Sequence, residues 1–147
     1  MKSNEWKRLS NFKGPMQSPG FLLWQVSTEW RRRVESALSE MDVTHAQFVL
    51  LAGIGWLTRN GVYATQVELA RHCKTDIAMT SQILRTLERK GYIERVSREG
   101  DERAKLPRLT KSGKNLVKKT IPIVEKVDEE FFGPLTDQFV KHLQLMI

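Results

Sequence analysis

Between Ile77 and Lys90 the chain carries two differently equipped faces at helical spacing. Thr80, Ile83, Leu84 and Leu87 recur at i, i+3, i+4 and i+7, the pattern of a helix docked by one side. Ala78, Gln82, Arg85 and Arg89 fall on the other side, which is small, amide-bearing or cationic. Gln82 can make a bidentate amide pair with adenine, Arg85 can reach guanine or a phosphate, and Ala78 and Met79 can touch a thymine methyl. Thr75, Ser81 and the start of the helix suit phosphate oxygens. Such a face is what a helix lying in a DNA groove presents. Thr80 belongs to the apolar stripe and reads as a packing residue rather than a base contact.

The neighbouring stretches are built to position that helix. Thr65-Gln66-Val67-Glu68 has the form of a capping box and opens a short helix through Cys73. Lys74-Thr75-Asp76 then supplies a turn and the cap of the next helix, which is helix-turn-helix spacing. Lys90-Gly91 closes the second helix, and Tyr92 to Val96 alternates well enough for a strand. Leu106, Arg108 and Leu109 suggest its return. Pro107 cannot donate to a ladder, which places that strand at an edge. The intervening residues 97–105 are too charged to be buried.

Composition narrows the class. A chain of 147 residues with 40% hydrophobic and 28% charged residues fits one globular domain with a real core. Its longest apolar run, Phe48 to Leu57, is well short of the ~20 residues of a membrane span, and Met1 to Gly20 lacks the apolar centre of a secretory signal. A cytoplasmic location is expected, and the single cysteine, Cys73, agrees with a reducing compartment. Arg71 to Lys119 holds fourteen Lys and Arg against six Asp and Glu, so that third carries +8 of the net +7 and the remainder −1. Concentrated positive charge beside a polar helix face is an electrostatic footprint of nucleic-acid binding. On charge alone it reads equally as a solvated basic surface. Nucleophile–base pairs, paired carboxylates and phosphate-binding glycine loops are not visible, so catalysis is not expected. His72 beside Cys73 lacks further residues at ligand spacing, and His45 and His142 stand alone, so no metal or cofactor is expected.

The rest of the chain reads as helices. Residues 1–17 form a polar arm. Ser18-Pro19-Gly20 is a helix start, followed by a stripe at Leu23, Val26, Trp30, Val34, Ala37 and Met41. Arg31 to Arg33 reads as a solvated face with Glu29 and Glu35 as ion-pair partners. A second capping box, Thr44-His45-Ala46-Gln47, opens a helix through Leu57 that is apolar almost all round and should be the buried centre. Asn60-Gly61 ends it, and Val62 to Ala64 is a candidate third strand. A helix from about Ser112 to Phe131 carries Val117, Thr120, Val124, Val127 and Phe131 as a seam, with a bend expected at Pro122. A last helix from Thr136 presents Phe139, Val140, Leu143 and Met146. Phe21, Trp24, Trp30, Phe48 and Trp56 are most simply core. The surplus of apolar faces on the first and the last two helices points to a dimer.

Taken together, THAQFVLL at Thr44 to Leu51, LERKGYIER at Leu87 to Arg95 and DERAKLPRLTKSGK at Asp101 to Lys114 resemble the MarR family of bacterial transcription regulators. The resemblance covers roughly Pro19 onward. Its most specific parts are the D-x-R at Asp101 and Arg103 and the L-T-x-x-G at Leu109, Thr110 and Gly113. Pro107 departs from the pattern and is expected to shorten the hairpin. The fold implied is mainly α with a small β-hairpin (α+β): a winged helix-turn-helix with N- and C-terminal dimerisation helices. It divides the chain into an arm (1–17), a dimerisation helix (18–43), a DNA-binding lobe (44–110) and C-terminal dimerisation helices (111–147).

The resemblance also implies a homodimeric repressor on double-stranded, pseudo-palindromic operator DNA. Recognition helices would enter successive major grooves and wings the adjacent minor grooves. Arg103 would enter the minor groove, Asp101 would orient it, and Arg98 and Lys105 would face the backbone. Family members often bind small aromatic or phenolic effectors in the crevice between dimer helices and DNA-binding lobe, near which Trp24, Gln25, Thr28, His45 and Phe48 would lie. Cys73 is a poor match to the family's peroxide sensors, whose reactive cysteine lies near the start of the first helix. The competing reading is a winged-helix module used only for protein contact, which should lack a basic wing and a readable outer helix face.

Overall fold

The structure, a computed structural model, describes residues 8–98, 101–133 and 136–147, apart from the side chains of 98, 101–105 and 136. Among the described residues the fold is carried by α1 (Pro19–Leu38), α2 (His45–Leu57), α3 (Gln66–Cys73), α4 (Ile77–Arg89), β1 (Ile93–Arg98), β2 (Asp101–Leu109), α5 (Lys111–Phe132) and α6 (Thr136–Gln144). Short 3-10 turns stand at Pro15–Gln17 and Ser39–Met41.

The helix starts follow from local side-chain chemistry. Ser18 caps α1 by accepting from the Phe21 N–H. Thr44 and Gln47 at α2, and Thr65 and Glu68 at α3, form complete reciprocal boxes. Two amide donors that the first turn leaves without helical partners are thereby satisfied in each case. At α3 the Thr65 N–H and hydroxyl both donate to Glu68 Oε2, at 2.7 and 2.8 Å, and hold that carboxyl below its ordinary range.

One core joins α1 to α5 and the hairpin. Val34 and Leu38 from α1, Leu50, Leu51 and Ile54 from α2, and Leu69, Leu84 and Leu87 from α3 and α4 are essentially inaccessible. They meet Ile93 and Leu109 of the hairpin and Leu116, Val117 and Val124 of α5. The α5 seam is therefore consumed largely inside the protomer, with Thr120 buried and its hydroxyl bonded back to Leu116 O. The helix runs through Pro122 without interruption. Trp30 ties α1 to α5 through a 2.7 Å hydrogen bond from its Nε1 to Asp128 Oδ1.

Three expectations are corrected. Val62 to Ala64 forms no strand, and the sheet contains β1 and β2 alone. Val62 and Tyr63 are exposed and only Ala64 turns inward, so the segment is held by burial of one methyl rather than by a ladder. Pro107 does not shorten the hairpin, since β2 continues through it to Leu109, with Pro107 opposite Arg95. In a two-stranded ribbon each strand is an edge, where a missing donor is tolerated. The aromatic group is not all core: Trp30 and Phe48 pack on it, but Phe21, Trp24 and Trp56 are 39%, 66% and 56% exposed. The stripe splits in the same way: Val34 is buried and Trp30, Ala37 and Met41 are half-buried, while Leu23 and Val26 are open. Among the described residues no helix is long and apolar enough to cross a membrane.

Candidate nucleic-acid interface

The turn between α3 and α4 fixes how α4 is presented. Lys74 adopts a left-handed conformation (φ 53°), which reverses the chain in three residues. Asp76 then caps α4, its Oδ1 accepting from Met79 N–H at 2.7 Å. Thr80 is buried and donates to Asp76 O, while its oxygen lies 2.7 Å from Thr75 Oγ1. With the Thr80 proton committed to that carbonyl, the Thr75 hydroxyl must donate to Thr80. A caps-and-hydroxyls cluster thus locks the turn. Thr80→Val, which keeps the shape and removes the hydroxyl, should cost about 1–2 kcal/mol, read as a lower thermal midpoint.

Beyond this cluster α4 divides as its sequence implies. Leu84 and Leu87 are buried with Thr80, and Ile83 packs beside them. Ala78, Met79, Gln82, Arg85 and Arg89 are exposed, and Ser81 is half-buried. Ile77, 49% exposed at the first turn, was absent from the sequence-based set and adds an apolar contact to the same surface. Arg89 donates to Thr86 Oγ1, and Gln82 and Arg85 have no side-chain partner among the described residues. Free amide and guanidinium groups on a rigid helix are available to bases or phosphates.

The wing is anchored by a joint at its base. Thr110 caps α5, accepting from Gly113 N–H at 3.0 Å, and its hydroxyl donates to Gly91 O at 2.7 Å. Its own N–H donates to Tyr92 O. The hairpin register runs from Ile93 opposite Leu109 to Ser97 opposite Lys105, then shifts so that Arg98 faces Asp101. The side chains of Arg98, Asp101, Arg103 and Lys105 lie outside the described residues.

The family model for MarR matches residues 43–105. The uncharacterized HTH-type transcriptional regulator YdcH of Bacillus subtilis is 44% identical over 145 residues, covering 97% of each chain. The chain belongs to the MarR family. It is accordingly a DNA-binding transcriptional regulator and not an enzyme. The structure of a cysteine-to-serine variant of E. coli MarR complexed with operator DNA superposes with a TM-score of 0.75 at 28% identity, covering 93% of this chain and 96% of that one. The Mycobacterium tuberculosis MarR family protein Rv2887, solved with salicylic acid, matches with a TM-score of 0.69 at 26% identity over 88% of this chain and 96% of that one.

In this MarR-family fold the five residues expected near an effector separate into two groups. His45 and Phe48 start α2, with ring centroids 6.5 Å apart, and His45 also meets Trp30 edge-on at 5.0 Å. Burial is the main influence that lowers the His45 pKa, partly offset by Glu35. Trp24 and Gln25 are exposed on α1 and Thr28 is half-buried. A hollow of about 470 Å3 is lined by Val26, Phe131, Phe132, Gln138, Phe139 and His142. Cys73 is half-buried with its Sγ 3.7 Å from Val49 O, and burial pushes its thiol pKa up, away from thiolate chemistry. Among the described residues no group of three or more His, Cys, Asp or Glu is placed to hold a metal ion.

Proposed function

We propose that the protein is a cytoplasmic, homodimeric, sequence-specific repressor that covers a pseudo-palindromic operator. The observation that carries this reading is the exposed face of α4, where the side chains of Ala78, Met79, Gln82 and Arg85 stand open above a locked turn. Ser81 and the turn contribute backbone contacts. Arg103 enters the minor groove with Asp101 orienting it, and Arg98 and Lys105 follow the phosphates.

A dimer is supported by apolar surface that the protomer leaves open. Leu9, Met16, Leu23 and Trp24 in the arm and early α1 are each more than half exposed, as are Leu145, Met146 and Ile147 after α6. So much exposed apolar surface at the two ends of the chain favours an interaction site, and two copies supply the two half-sites of a palindrome. Small aromatic anions, of which the salicylate bound by Rv2887 is an example, would enter beside Trp24, Gln25, Thr28, His45 and Phe48. A ligand that favours a helix spacing unsuited to adjacent grooves lowers operator affinity.

Footprinting of DNA flanking the protein's own gene tests the proposal. A protected, two-fold related pair of half-sites about one helical turn apart is expected. Arg103→Ala should weaken that protection strongly with an unchanged thermal midpoint. Equal, weak binding to every duplex in a gel-shift titration would leave only the protein-contact reading.

A further inference from the structure

Five ion pairs stand among the described residues, and three of them join residues of a single helix. The two that cross between elements both leave the end of α4. Glu88 meets the Arg95 Nε of β1 at 3.2 Å, and Lys90, the residue that follows the helix, meets Asp42. The reading helix is therefore tied to the hairpin on one side and to the connection between α1 and α2 on the other.

The second tie is the less ordinary one. Lys90 Nζ donates to the carbonyl oxygen of Asp42 at 2.5 Å as well as to its Oδ1 at 3.1 Å, across 48 residues of chain. An exposed lysine–carboxylate pair alone contributes little, because ordering a long side chain offsets most of the attraction. Here a backbone acceptor adds a fixed direction that a rotating carboxylate lacks. Lys90 is moreover largely sheltered, its side chain 28% exposed, so its charge is held at the turn rather than spread through solvent. Asp42 has a left-handed backbone (φ 54°), which residues other than glycine adopt rarely and Asp more readily than most. That turn lies between Met41, which packs on the core, and the buried Val43. Among the described residues Lys90 makes the only polar bonds between the end of α4 and this connection.

We infer that Lys90 is a positioning residue for operator recognition. By fixing the end of α4 to the turn at Asp42, it holds the reading helix at one angle to α1 and so sets how far apart the two reading helices stand in the dimer. The inference rests on the homodimeric, operator-reading function proposed above. Such a tie acts on where the helices stand and not on what either one reads, so it governs half-site spacing rather than half-site affinity.

Lys90→Met, which keeps the alkyl length and removes both bonds, tests it beside Lys90→Arg and Lys126→Met. Lys126 pairs with Glu130 within α5 at 3.7 Å, so its loss removes the same charge and an ion pair local to one helix. Fluorescence anisotropy of the full-length protein is followed on the footprinted operator, on the same half-sites moved apart by a single base pair, on a duplex with one half-site and on a random duplex. For Lys90→Met the preference for native over displaced spacing should fall about three- to thirtyfold. Its affinity for one half-site should not change, and its thermal midpoint should drop by only a few degrees. Lys90→Arg and Lys126→Met should keep the preference. The inference is overturned if Lys90→Met keeps the full spacing preference, or if Lys90→Arg or Lys126→Met loses it equally. A loss by Lys90→Met that is equal on all four duplexes, with a shallower salt dependence, also overturns it, because Lys90 is then a phosphate contact. If the unsubstituted protein does not distinguish operator from random duplex, the proposed function falls and the inference with it; if it does and Lys90→Met shows the same spacing preference, the inference alone falls.

Discussion

Gly113→Ala should lower the thermal midpoint by roughly 6–12 °C, the response of a chain of this length to a loss of about 3 kcal/mol. A Cβ at this position would stand 1.9 Å from Tyr92 O and 2.9 Å from Tyr92 C, which are backbone atoms rather than the end of a flexible side chain. That carbonyl has little room to retreat. It accepts from the Thr110 N–H at 3.1 Å, and the Tyr92 N–H is itself bonded to Leu87 O. Gly91, at φ 73°, sets the chain's direction just before. Relief therefore requires α5 to move off the corner where α4 ends and β1 begins. Gly20→Ala is the control: a Cβ there meets nothing within 4 Å, and in the first turn of α1 it should be neutral or raise the midpoint slightly. Equal effects from the two substitutions would show that the corner is not a close contact.

That corner illustrates what the sequence reveals and what it conceals. Helix starts are legible because the chemistry is local: Ser18, Thr44, Thr65 and Asp76 each cap a helix with an oxygen reaching three residues ahead, whereas Thr110, which caps α5 in the same way, stands just before the start expected at Ser112. The two faces of α4 are legible for a similar reason, since period and residue type together specify which side is buried. The L-T-x-x-G pattern was visible only as a resemblance. Its cause, a glycine pressed against a carbonyl 21 residues earlier in the chain, is a tertiary fact. Lys90 is another such case, its Nζ meeting Asp42 Oδ1 at 3.1 Å across 48 residues.

The failures have a common origin. Hydrophobicity says that a side chain leaves water, not whether it does so inside one protomer or against another molecule. Trp30 and Trp24 lie on the same helix, and Trp24 has the more apolar neighbours in sequence, yet Trp30 bonds Asp128 and packs inward while Trp24 is largely open. The short segment Val62 to Ala64 has strand-like residue types, but a strand needs a neighbour with free backbone groups in reach. The hydroxyl contact between Thr75 and Thr80 that locks the turn before α4 is likewise a detail that residue types alone do not announce.

Gln82→Ala and Arg85→Ala should separate base reading from phosphate attraction on the exposed face of α4. A bidentate amide–adenine pair discriminates against the wrong base by about 1–3 kcal/mol, and a homodimer places it in both half-sites. Gln82→Ala should therefore lower the ratio of operator to random-duplex affinity by roughly 30-fold or more, since the two copies together lose at least about 2 kcal/mol. Its salt dependence should not change, because an uncharged amide releases no counterions. Arg85 has two possible partners, and salt tells them apart. If it holds a phosphate, Arg85→Ala weakens operator and random DNA alike and reduces the slope of log affinity against log salt by about 1.8 for the dimer. If it holds guanine, operator affinity falls selectively and random binding keeps most of its strength. Both side chains are exposed, so the variants should fold with unchanged midpoints. Fluorescence-anisotropy titrations at several salt concentrations give all of these quantities. An unchanged operator-to-random ratio for both variants would remove α4 as the reading element and shift specificity to the wing.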